Sequence, residues 1–161
     1  MVATLRVRRT NTGQLQRIMR SIFGLKKEPR VAVGFPAGKT DSDVINKAVW
    51  NEFGTRGGAS GGGWGGPIPE RPFMRNAMRN NASKYRSAMK TAAPHLLMGS
   101  TSLTVVLSKL GILAQGDIQA EITSLRSPPN ADVTIALKGS SNPLIDTGEM
   151  RQAVTWKIEN D

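Results

Sequence analysis

The chain has 161 residues, with 22 Lys and Arg against 12 Asp and Glu for a formal charge of +10, no cysteine and a single histidine, His95. This composition excludes disulfides, thiolate nucleophiles and metal centres built from Cys and His, and no apolar run reaches the roughly 18 to 20 residues that a membrane span requires. A single compact domain over 1–161 is expected, with a modest core and an anionic partner, whether nucleic acid, an anionic surface or an acidic protein.

Leu5 and Val7 alternate with Arg6 and Arg8, which predicts a short strand with a basic face, and this opening, through Arg9, is too charged for a secretory signal. Leu15, Ile18, Met19 and Ile22 fall at helical spacing before Gly24, and Val31, Val33 and Phe35 alternate as a second strand before Pro36. Asp41 and its neighbours cap a helix whose apolar face is Val44, Ile45, Ala48, Val49 and Phe53, closed by Gly54. From Gly57 to Gly66, seven of ten residues are glycine, interrupted by Trp64, and the stiff Pro67–Pro72 segment follows, so 57–72 reads as an extended Gly/Pro-rich arm.

Pro72 suits a first helical position, and one long helix is predicted over 73–93, with Arg71, Arg75, Arg79, Lys84, Arg86 and Lys90 mostly outward as a basic strip. Leu103, Val106, Leu107, Leu110, Leu113, Ala114, Ile118, Ile122 and Leu125 repeat at three and four, marking the core helix. After Pro128-Pro129 comes polar loop with a short strand or turn around Val133 to Leu137, then a turn capped by Thr147, and Val154, Trp156 and Ile158 alternate as a closing strand. The resulting fold class is α+β, a small, mostly antiparallel sheet packed with two longer helices.

Two strings imitate catalytic motifs. Gly34 to Thr40 resembles a phosphate-binding loop, but three residues separate Gly34 from Gly38 where four are needed, and Pro36 lacks the N–H that would face a phosphate. Leu144-Ile-Asp-Thr-Gly148 matches the Asp-Thr-Gly string of retroviral-type aspartic proteases, yet only thirteen residues follow Gly148, too few for the strands such a site needs. Asp146 reads more simply as a turn or helix-capping carboxylate, and His95, beside Pro94, as structural or solvated. Neither a catalytic residue nor a cofactor is expected.

Three blocks occur in order: Asn51-Glu-Phe-Gly-Thr55, Ile68-Pro-Glu-Arg-Pro-Phe73, and Pro143-Leu-Ile-Asp-Thr-Gly-Glu-Met150. Together they resemble the tail-completion or head-tail joining proteins of tailed bacteriophages. The resemblance covers about 48–156. It implies a non-enzymatic α+β subunit that forms a ring, six-fold by the tail's symmetry, in the neck of the virion after synthesis in the host bacterial cytoplasm. Its neighbours would be the head-completion or adaptor side and the tail terminator or tail tube, with packaged DNA as a further contact and no membrane.

On this basis the expected subunit-interface residues are Trp50, Glu52, Phe53, Trp64, Ile68, Glu70, Arg71, Phe73, Arg75, Asp146 and Arg151, with Phe73 and Trp64 as aromatic anchors and Glu70 and Arg71 as a pair across subunits. The residues expected to meet an anionic partner are Arg6, Arg8, Arg9, Arg75, Arg79, Lys84 and Arg86. The alternative reading is a basic DNA-binding accessory module. Aromatics are not interleaved with the basic runs, so either way the charge argues for contact without base reading.

Overall fold

A computed structural model of the chain describes residues 29–36, 38–56 and 67–160. The expected strand at 5–7, the helix after Thr12 and the glycine run at 57–66 lie outside the described residues, as do Arg6, Arg8, Arg9 and Trp64. The remainder is α+β: β1 (Pro29–Gly34), α1 (Ser42–Phe53), α2 (Phe73–Asn80), α3 (Ala82–Leu97), α4 (Leu103–Ser124), α5 (Asp132–Lys138), α6 (Glu149–Ala153) and β2 (Thr155–Asn160).

Local chemistry sets most of these boundaries. The Asp41 carboxylate accepts the Asp43 N–H at 2.8 Å to start α1, and Gly54 ends it at φ 71°, a backbone conformation that suits glycine. Ser102 Oγ accepts the Val105 N–H at 3.3 Å and opens the 22-residue α4.

Two expectations are corrected. The single helix predicted over 73–93 is two helices, because Asn81 leaves helical geometry at φ −103°, ψ 7° while its side-chain amide donates to Ala77 O at 2.9 Å, the competition with the backbone ladder that asparagine offers. Tyr85 N–H still donates to Asn81 O at 3.1 Å, so α3 continues from α2, and it runs through Pro94 to Leu97. The segment read as a strand or turn around 133–137 is the helix α5. Asp132 in its first turn, Lys138 in its last and Gly139 in the left-handed region suit helix ends, whereas Val133 and Leu137, 71% and 85% exposed, have no sheet to pack on.

β1 and β2 pair antiparallel, with Val31 opposite Ile158 and Val33 opposite Trp156. The sheet lies on α4, which also packs against α2. Phe73, Ala77, Ile118, Ile122 and Val154 are fully enclosed at this junction, bordered by Val44, Ala48, Leu144 and Met150 from α1 and the segment around α6. Phe35 meets Phe73 edge-to-face, with ring centroids 6.2 Å apart. Gly111 lets the sheet approach α4: a Cβ there would sit 2.5 Å from the Trp156 ring.

Candidate assembly interface

The first two sequence blocks close on each other. Arg71 N–H donates to Asn51 O at 2.6 Å and Thr55 N–H to Ile68 O at 2.9 Å, while Ile68 N–H donates to Thr55 Oγ1 at 3.0 Å. Gly54 sits inside this lock, and a Cβ on it would lie 3.1 Å from both Glu70 N and Ile68 O.

Glu52 supplies the cap that Pro72 cannot. Its carboxylate accepts the backbone N–H of Met74 at 2.9 Å and of Arg75 at 3.2 Å at the start of α2, and it also takes Arg75 Nε at 2.9 Å. Arg75 reaches on to Glu70, and its guanidinium stands 5.2 Å from the centre of the Phe53 ring. These hydrogen bonds, Glu52 first and Glu70 second, push the Arg75 pKa further up.

Arg71 turns inward. Its Nε donates to Pro128 O, one terminal nitrogen to Asn51 Oδ1, and the other to Pro129 O and Asn130 Oδ1, at 2.8 to 3.2 Å. A guanidinium 3% exposed is thus held by neutral oxygens, and burial lowers its pKa. The third block joins at the same place. Asn142 Oδ1 accepts the N–H groups of Leu144 and Ile145, and its carbonyl takes Lys138 Nζ at 2.9 Å. Burial lowers the Lys138 pKa, opposed by the nearby charge of Asp146 and assisted by that of Arg71.

All three blocks therefore line one groove of about 560 Å³, walled by Val44, Pro67, Ile68, Arg71, Lys138 and Asp146 among others. Outside this groove α1 displays Val49, Trp50 and Phe53, the last 65% exposed.

These positions revise several expected roles. Phe73 is an internal core residue and not an exposed anchor. Arg71 is bonded within the chain, and Glu70 pairs with Arg75, so the expected pair of Glu70 with Arg71 across subunits is replaced. Glu52, 4% exposed, is a structural cap. Trp50, Phe53, Glu70, Arg75, Asp146 and Arg151 are on the surface, and Ile68 is half-buried at the groove. Asp146 caps no helix; Thr147 Oγ1 accepts the Glu149 N–H at 3.4 Å instead. Lys84 is paired with Asp117 at 2.6 Å, whereas Arg79 and Arg86 are exposed. Lys39 is exposed after β1, and His95 is exposed near Ser100 Oγ.

Asn51, Asn130 and Asn142 were not singled out from sequence, although they carry much of the polar scaffold. Asn51 stands near the end of α1 and the other two in loops, and an asparagine in either setting carries no pattern that says which carbonyl or guanidinium it will meet.

No family model, curated protein or solved structure matches this chain. Among the described residues no cluster of His, Asp and Glu could hold a metal, and no helix is long and apolar enough to cross a membrane.

Proposed function

We propose that the chain is a structural subunit of a tailed-bacteriophage neck, closing into a ring that completes the tail or joins it to the head, and that it performs no catalytic step. The observation that carries this reading is the mutual closure of the resembling blocks. Glu52 is spent on the start of α2 and on Arg75, Thr55 on Ile68, and Arg71 on Asn51 and the 128–130 loop, which leaves Trp50 and Phe53 of α1 displayed on a tied base. Exposed aromatic side chains held rigidly are the usual energetic centres of protein contacts, and Arg75 stacked on Phe53 adds a third residue of the favoured types. A surface built for assembly needs this and no reacting group.

The test is assembly itself. Purified protein, alone and mixed with its neck neighbours, should give closed rings in electron micrographs, and Trp50→Ala with Phe53→Ala should leave folded subunits that no longer close. A phage lacking the gene should accumulate heads and tails that do not join. Fully infectious particles from that mutant would refute the proposal.

A further inference from the structure

From Arg71 to Gly116 the chain contains no Asp or Glu, while Arg71, Arg75, Arg79, Lys84, Arg86, Lys90 and Lys109 fall within it. The structure divides these cations by task. Arg71 is buried on carbonyls, Arg75 is held by Glu52 and Glu70, and Lys84 by Asp117. Arg79, Arg86 and Lys90 are exposed and make no ion pair among the described residues.

Their spacing puts them on one line. Arg75, Arg79, Arg86 and Lys90 are separated by four, seven and four residues, and the ladder across Asn81 keeps α2 and α3 nearly in register, so they form one stripe about 22 Å long at ~1.5 Å per residue. Tyr85 and Ala77 on the other side face α4, which fixes the stripe outward. α3 has no buried residue at all, so it is displayed more than it is packed.

We infer that this stripe is a contact surface for the phosphate backbone of duplex DNA, read without regard to sequence. An acidic protein would also answer the charge, but the composition of the stripe favours phosphate. Between and beside Arg79, Arg86 and Lys90 stand Asn80, Ala82, Ser83, Ser87 and Thr91, short and mostly hydrogen-bonding side chains, with the exposed Met89 as a large apolar neighbour, while the aromatic contact of Phe53 is confined to Arg75 at the end of the stripe. Long cations over short polar residues let a phosphate chain lie close to the helix. This inference stands apart from the ring reading, since a monomer could present the same stripe.

The experiment is fluorescence anisotropy of the full chain with a labelled duplex of random sequence, across about 50 to 200 mM salt. Binding in the micromolar range is expected. In the triple variant Arg79→Gln, Arg86→Gln, Lys90→Gln, the slope of log affinity against log salt should fall in magnitude by about 2 to 3, near 0.9 for each lost phosphate contact. The control triple Lys39→Gln, Arg56→Gln, Arg126→Gln removes equal charge elsewhere and should keep most of the slope. In the unsubstituted chain, bound duplex should protect Lys90 from acetylation and leave Lys39 reactive, a readout that no folding defect can imitate. Equal loss in both triples, no protection of Lys90, or tighter binding to polyglutamate than to DNA of the same charge would overturn the inference, the last in favour of an acidic protein.

Discussion

Glu52 on α1 holds Arg75 on α2 twice, through the Arg75 backbone N–H at 3.2 Å and through Nε at 2.9 Å, while Arg75 returns a bond to the Glu52 carbonyl at 2.6 Å. The two ends of this clasp are unequal. Glu52 is buried and caps a helix with no other side-chain cap, whereas the Arg75 side chain is 45% exposed. Glu52→Ala should therefore lower unfolding stability by about 2 to 4 kcal/mol, combining a lost cap with unsatisfied buried N–H groups. Arg75→Ala should lose about 1 kcal/mol, since water screens its pairs. Urea denaturation of both variants tests the order, and an equal loss would contradict the assignment of the cap.

Gly111→Ala should destabilise by about 1 to 3 kcal/mol, although alanine is the better helix former, because the new methyl would meet the Trp156 ring at 2.5 Å. Thermal unfolding followed by tryptophan emission reports both the loss and the displacement of that ring. Gly116→Ala, on the same helix with open space around it, serves as the comparison and should be neutral or stabilising.

Gly54→Ala combines a φ of 71° with a close approach to Glu70 and Ile68 backbone, and should lose about 1 to 3 kcal/mol. Hydrogen exchange locates the damage: the Thr55 and Arg71 amides, which tie the two blocks together, should exchange faster before the core amides of α4 do.

Tyr85 is the only tyrosine, so its phenol can be titrated by near-ultraviolet absorbance without interference. Burial, and then the hydrogen bond to Asp117 at 2.9 Å, raise its pKa above the ordinary value of 10.0. A raised folded pKa means that the unfolded chain gives up the proton first, so this stabilising contribution is complete below pH 10 and declines as pH rises above it. Asp117→Asn should bring the midpoint down only in part, because burial is the larger cause and remains. A return to the ordinary value would make the carboxylate the larger cause.

The sequence was most legible where periodicity and punctuation agreed. Asp41 and Gly54 delimit α1, the repeat from Leu103 to Leu125 marks α4, and the alternation at Val31 and Trp156 gives the two strands. It was least legible where a side chain chose between the backbone and a distant partner. Asn81 interrupts a helix that its neighbours would continue, and the Val and Ile of α5 read as strand although helix termini decide the segment. The candidate site followed the same division. Its residues were recognisable as blocks, but Arg71 could be known as an interior residue only once the 128–130 loop was seen to bring three oxygens to it. Charge periodicity alone makes every arginine look outward.

The pairing of β1 with β2 joins residues 29–34 to residues 155–160 across nearly the whole described chain. During synthesis the first of these strands leaves the ribosome with its partner still untranslated, and the Trp156 seat on Gly111 is empty for as long. Helices α2, α3 and α4 can form and meet in the interval, since their contacts are nearer in sequence. The sheet therefore acts as the closing latch, and the nascent chain cannot complete this fold until β2 has been made.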